Sequence, residues 1–402
     1  MSGMGGGQMY VRNKFLYLCK KGWDVDLIYS TTGKLLIKEL QQFNYICPEL
    51  LFPTYYFTKS RVNSVVHKLA SKINDAIYDE IIIESTYIFT STWGEMVAEM
   101  IGAKHIVNLL QEQNDVRNEG LQRFFIYKHQ RKELVSITDT SLQQMFASFY
   151  PIRREQSYRL PAYCNNVEAD VDSPLINQIN KEKYDYVIGC LSRLEKPFMI
   201  PAIKDFCRYA NSVGTKRFLL LIMGGSQNDN TIITQFKNIV TNQTSNVELI
   251  ITGYIYPVPV RLLDMCDAFF TSAGSAWVCM RSGIPTITYD GNDCRPIGIL
   301  GRTTNSTLFR EEGEPIQDFS DLMDQILVSH VYPKQPAKYQ DNVPDFEDHM
   351  IFIHKSSQEY DYYCIDNLHI ESFAEKKIYL VMRIIGPEKY YHLYQKRMSK
   401  QA

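Results

Sequence analysis

The chain has 402 residues, 45% of them apolar, 22% charged and 12% aromatic. That length suits two domains of ordinary size, and the apolar share lets each bury its own core. Lys and Arg number 43 and Asp and Glu 45, a formal net charge of −2, which excludes wholesale nucleic-acid binding of the polybasic kind. The nine cysteines form no CxxC pair, and several lie in apolar runs. They read as reduced thiols of a cytoplasmic protein, not as a disulfide framework or zinc site. The first residues are Gly-rich rather than apolar, so no signal peptide is read. No uncharged apolar run reaches the roughly 18 residues of a membrane span.

Residues 1–7 read as a loop, and a helical pattern starts almost at once. An α/β domain of this kind should begin with a strand, so the sequence is expected to lack its first β-strand. Residues 9–19 predict an amphipathic helix with Val11, Phe15 and Leu18 on one face, closed by Gly22. A strand over 25–29 follows. Then come a helix over 65–77 behind Ser64, a strand over 80–84 and a helix over 93–101 closed by Gly102. A strand over 105–109, a helix over 119–134 and a short strand over 135–138 complete this half. Buried apolar strands alternating with helices predict a parallel sheet wrapped on both faces.

Residues 165–183 are polar, contain Pro174 and read as a linker. The alternation then restarts. Strands are predicted over 186–190, 217–223, 247–252, 268–271 and 285–288. Helices are predicted over 201–210, 231–240, 261–264 and 276–281. Two further helices over 375–385 and 388–398, parted by Gly386-Pro387, end the chain.

Loops at the ends of these elements carry the candidate chemistry. Residues 3–8, rich in glycine, open a helix whose free N–H groups suit a phosphate. The spacing is neither the dinucleotide fingerprint nor a P-loop. A flexible start is the plain alternative. Leu191-Ser192-Arg193-Leu194-Glu195-Lys196 follows a strand end, where ligands bind in open α/β sheets. Arg193 and Lys196 can neutralise a departing diphosphate, or be two solvated cations. Thr271-Ser272-Ala273-Gly274-Ser275-Ala276 is a small-residue turn into a helix, a second anion cradle. Gly253, Tyr254 and Ile255 follow another strand, where backbone groups and a tyrosine can read a nucleobase, or form a plain loop with exposed tyrosines. In residues 110–114, Glu112 is a base or electrostatic stabiliser, or part of a polar loop. Residues 128–132 and 389–400 mix basic and aromatic side chains. Each reads as a lipid-phosphate surface or, preferably, a solvated face. His105 reads as structural.

Taken together these residues resemble the bacterial glycosyltransferases of group 1 (family 4). The resemblance rests on 5–12 as the Gly-Gly loop and helix, 190–196 as a shortened Gly-Arg-Leu…Lys motif, Gly253-Tyr254 as the Gly-Tyr loop, and 272–285 as the closing small-residue loop, helix and Gly-Ile-Pro. It spans about 3–297. It implies two facing Rossmann-like domains of the GT-B type. These would be an acceptor-side domain over 1–164, the linker 165–183, a nucleotide-sugar domain over 184–370, and helices over 371–402 crossing back to the first domain. It implies a hexosyltransferase using a UDP- or GDP-linked sugar as co-substrate, with no cofactor and no metal. The acceptor would be a glycan or lipid-linked molecule of surface-polysaccharide assembly, and the protein cytoplasmic or peripheral at the inner membrane. Arg193, Lys196, Gly274, Ser275 and Ala276 would hold the diphosphate, Gly6 and Gly7 would lie against the donor sugar, and Glu112 would be catalytic. The family's second glutamate, which binds the nucleotide ribose, is replaced by Val278, and Asp290, Asn292 or Asp293 is the candidate substitute. A sugar-nucleotide epimerase on the same frame, and a degenerate transferase acting as a binding partner, are the rival readings.

Overall fold

The computed structural model describes residues 5–30, 37–43, 45–73, 78–111, 113–168, 174–226, 230–339, 345–356 and 361–398. Contacts divide the chain into two units. One holds Leu18–Ala162 and Asp345–Ala402, and the other holds Gly3–Tyr17 and Tyr163–Pro344.

The second unit is built on a six-stranded sheet. Its central strand is Tyr186–Leu191. Phe218–Met223 and then Val247–Ile251 lie on one side, and Ala268–Thr271, Thr286–Tyr289 and Pro296–Ile299 on the other. All pairings are parallel except the last, which is antiparallel. Successive strand residues face opposite sides. Ile188, Cys190, Leu220 and Phe270 therefore enter one core, and Val187, Leu191, Leu221 and Phe269 enter the other. Burial on both faces explains why these strands are unbroken apolar runs. The central strand and Ala268–Thr271 are neighbours, and the chain leaves them toward opposite edges of the sheet. That is the topological switch point of a Rossmann-like sheet.

The first unit has a three-stranded parallel sheet of Ile82–Ser85, Lys104–Leu109 and Leu134–Ser136, and a separate parallel pair of Ile28–Tyr29 with Tyr45–Ile46. The helix expected over 65–77 is Lys59–Ala70, because Thr58 caps it by accepting from the Arg61 N–H at 3.3 Å. Asp139–Phe146, Phe319–Leu327 and Glu347–Lys355 are further helices that the sequence pattern did not separate from their surroundings. In the stretch read as a linker, Val167–Glu168 pairs with Val258–Pro259. Residues 345–356 and 361–370 pack with the first unit. There Lys104 Nζ donates to the Ile353 carbonyl at 3.0 Å and the Tyr363 N–H donates to Glu95 at 2.8 Å. Helix Phe373–Ile385 starts in a capping box of Ser372 and Glu375 and packs Met382 against Leu51, Phe52 and Tyr56. No helix among the described residues is long and apolar enough to cross a membrane.

A buried charge network ties the first unit together. Lys128, expected on a solvated face, is only 1% exposed. Its ammonium donates to Glu95 at 2.8 Å, Glu133 at 2.6 Å and the His105 carbonyl at 3.0 Å. His105 Nδ1 lies 2.6 Å from Glu95, and its Nε2 lies 3.0 Å from Ser85 Oγ. Helix Ile88–Ile101 can lie this close because of Gly94, where a Cβ would fall 2.3 Å from Ser85 Oγ and 2.6 Å from His105 Nε2. Burial alone would raise Glu95, but His105 and Lys128 outweigh it and hold the carboxyl at about 2. Burial, aided by the Lys128 charge, pushes His105 down to about 4 despite Glu95.

The unfolded chain protonates His105 near 6.5, and the folded protein only near 4. Stability from this site is full above the upper value and falls with pH through the interval, at up to about 1.4 kcal/mol per unit. The melting temperature is expected to drop between these pH values, and His105→Gln to flatten that drop while lowering the melting temperature at neutral pH. An equal slope in both proteins would refute the assignment.

Candidate functional site

At the carboxyl ends of the second unit's strands, three loops are joined through backbone. Ser192 N–H donates to the Met223 carbonyl at 3.2 Å, and Leu194 N–H donates to Gly225 at 3.3 Å. A Cβ on Gly224 would lie 1.7 Å from the Ser192 carbonyl oxygen, so only glycine allows this approach. Gly224 also bridges Gly253, which has a left-handed φ of 72°. Buried Leu194 pins the 192–196 loop, leaving Arg193 exposed and Lys196 half-buried. Tyr254 lies with its ring on Gly225, where a Cβ would meet Cδ2 at 2.6 Å, and Ile255 packs against the adjoining core. The tyrosine's ring is therefore partly used by the fold itself.

Across the switch point, Thr271 Oγ1 donates to the Leu191 carbonyl at 2.7 Å. Ser272 Oγ donates to Tyr289 at 3.0 Å, and the Ala273 N–H donates to the Thr307 carbonyl at 2.6 Å. Ala273 is held at φ 58° and ψ −140°, a conformation that costs a non-glycine residue about 1–3 kcal/mol. Helix Gly274–Arg281 starts here. Its first-turn amides have no acceptor within the helix. Ala276, grouped with the binding residues on sequence, has a buried side chain, and its N–H donates to Ala273 at 3.0 Å. Gly274 and Ser275 are left with amides that have no acceptor among the described residues.

A second helix start meets this one. Helix Gly6–Lys20 makes its first backbone bond from Met9 N–H to the Gly5 carbonyl at 3.1 Å, which leaves the amides of Gly6 and Gly7 at its open end. Asn13 Nδ2 donates to the carbonyls of Tyr163 and Asn165 at 3.0 and 2.9 Å, and the Arg12 guanidinium lies 5.9 Å from the Tyr256 ring centre. These contacts place the helix start. A Cβ on Gly5 would lie 3.5 Å from Arg193 Cδ and Nε, one on Gly6 would lie 3.9 Å from Cys164 Sγ, and one on Gly274 only 2.3 Å from that sulfur. Burial raises the Cys164 thiol to about 11, so it is neutral at pH 7. Two helix starts, each with a partial positive charge, thus converge beside Arg193 around a neutral thiol. Both helix starts and Arg193 are legible in the sequence as candidate anion-binding groups. Cys164 and Asn13 carried no signal, because their partners are over 100 residues away.

Glu112 lies outside the described residues. Val278, at the position of the family glutamate, is buried among Leu191, Val187 and Cys279. Asp290, the candidate substitute, is spent on its own loop. It accepts from the N–H groups of Asn292 at 2.7 Å and Arg310 at 2.6 Å. Asp293 pairs with Arg310 at 3.0 Å. Among the described residues no group of three His, Cys, Asp or Glu side chains could hold a metal ion.

No family model matches the chain, and no curated protein matches its sequence. Solved structures do resemble it. A glycosyltransferase from Rickettsia africae aligns with a TM-score of 0.56 at 14% identity, covering 94% of each chain. Anabaena HepE, solved with UDP-glucose, aligns with a TM-score of 0.54 at 12% identity, covering 83% of this chain and 89% of that one. At such identity the likeness is one of fold, and the chain has the GT-B class of fold with two Rossmann-like domains.

The Cys164 contact can be tested through Gly274. Gly274→Ala is expected to cost about 1–3 kcal/mol of stability by overpacking, and Cys164→Ala in the same chain to recover most of that loss. Additive losses in chemical denaturation would refute the contact.

Proposed function

We propose that the protein is a glycosyltransferase that moves a hexose from a nucleotide diphosphate sugar to a glycan or lipid-linked acceptor in surface-polysaccharide assembly. The observation that carries this reading is the convergence of two helix starts and Arg193 at the switch point of the second unit. Such a place suits an anion that gains charge during reaction. The shared fold with HepE, which was solved with UDP-glucose, favours a UDP-linked hexose as donor.

In this reading an acceptor hydroxyl attacks the anomeric carbon. The bond from that carbon to the β-phosphate oxygen breaks, and the diphosphate leaves with the electron pair. Arg193 and Lys196 take up its charge, with the amides of Gly274 and Ser275 donating to phosphate oxygens. Gly6 and Gly7 lie against the sugar without steric hindrance. Gly253, Tyr254 and Ile255 border the nucleobase. Glu112 accepts the acceptor's proton. Val278 in place of a ribose-binding carboxylate favours a second reading, a degenerate transferase that binds a partner enzyme.

Calorimetric titration with UDP separates these readings. The wild type is expected to bind, and Arg193→Ala to lose about 2 kcal/mol of binding, roughly thirtyfold, through its charge-assisted bonds. Equal affinity in both would remove Arg193 from the site. A wild type that binds neither UDP nor GDP would leave the partner reading.

A further inference from the structure

Helix Phe373–Ile385 is apolar on two faces. Ile378 and Met382 pack against Leu51, Phe52 and Tyr56. On the opposite face Phe373, Leu380 and Ile384 are 72%, 57% and 83% exposed. Their spacing of seven and then four residues sets them along one line of the helix. Exposed Val381 adjoins this line, and the following helix, Pro387–Met398, exposes Leu393 and Tyr394. Apolar patches of this kind mark an interaction site.

The charges around the stripe identify its partner. Lys376, Lys377 and Arg383 are exposed, and the Lys377 ammonium lies 4.7 Å from the Phe373 ring centre. The acids near the helix start are turned to backbone caps. Glu375 accepts from the N–H groups of Glu371 and Ser372 at 2.9 and 3.0 Å, and Glu371 accepts from Glu119 and Gly120 at 2.7 and 3.0 Å. The open face is thus apolar, aromatic and cationic. A two-fold contact between copies would set these cations against their equivalents, which disfavours a second copy as the occupant. A lipid surface with anionic headgroups accepts both features. The apolar side chains enter the acyl boundary, and the cations reach the headgroups.

We propose that this face of the C-terminal helices lies on an anionic membrane surface, in the plane of the bilayer. The proposal is independent of the nucleotide reading.

The test is co-sedimentation of the full chain with vesicles of phosphatidylcholine and phosphatidylglycerol, against vesicles of phosphatidylcholine alone. The wild type is expected to bind the anionic vesicles and to be released by high salt. The double variant Phe373→Asp, Ile384→Asp is expected to bind roughly tenfold more weakly, with unchanged circular dichroism. Both positions are exposed, so the variant should fold. Equal sedimentation of the two proteins, or no binding by the wild type, overturns the proposal. So does a wild-type dimer in gel filtration that the variant abolishes, since a second copy would then be the occupant.

Discussion

The pairing of Tyr186–Leu191 with Ala268–Thr271 constrains the whole second unit. These strands are neighbours in space, yet two other strands of the same sheet separate them in sequence. The chain leaves one toward Phe218–Met223 and the other toward Thr286–Tyr289, so the loops beyond their ends diverge and a crevice opens between them. The pairing depends on a missing atom. Gly189 stands opposite Phe269, and a Cβ there would lie 2.2 Å from the Phe269 ring. Any larger residue would push the ring or the strand aside, and would move the loop that carries Arg193 with it.

Beyond the strand ends, backbone does most of the positioning. Gly224 fits under the Ser192 carbonyl, and Ala273 is held by Thr307 in a conformation that it would otherwise avoid. Strain of this kind persists only where surrounding bonds fix it. Here the bond is to a carbonyl 34 residues away, from a segment that also accepts the Ser272 hydroxyl at 3.3 Å. Two helix starts and one arginine are thereby brought together by atoms that no side-chain motif records.

The doubly buried strands of the second unit were legible because a strand covered on both faces has to be apolar throughout, as Phe218–Met223 is. Gly102, at φ 66°, ended its helix where the pattern said it would. Lys128 was not legible. Its sequence neighbours are basic and aromatic, and the carboxylate that justifies its burial, Glu95, lies 33 residues earlier on another helix. Pro296–Ile299 was missed because a strand beginning in proline and containing glycine lacks a strand's composition. Gly298 is needed there because a Cβ would fall 2.5 Å from Thr303 Oγ1. Asp290 looked free in sequence and is consumed by its own turn. A capping aspartate and a ligand-binding one share the same letter.

The relative sizes of the terms at the candidate site decide what each part can do. A helix terminus contributes about 0.3–1 kcal/mol toward an anion and loses most of that to salt. A hydrogen bond to a charged group contributes about 1.5–3 kcal/mol. Arg193 therefore outweighs either helix start in affinity, although it is exposed and free to adopt many rotamers. The amides of Gly274 and Ser275 are fixed by Ala273 and by the packing of Gly274 on Cys164, so they lose no such freedom on binding. In the proposed reading the arginine supplies the attraction, and the amides set where the anion rests. With Val278 buried in the core and Asp290 occupied by its own loop, neither of these positions adds a carboxylate to the site. Under the proposed function, retention of a nucleotide by these residues rests on phosphate recognition, and a ligand lacking the diphosphate should be held far more weakly than one that has it.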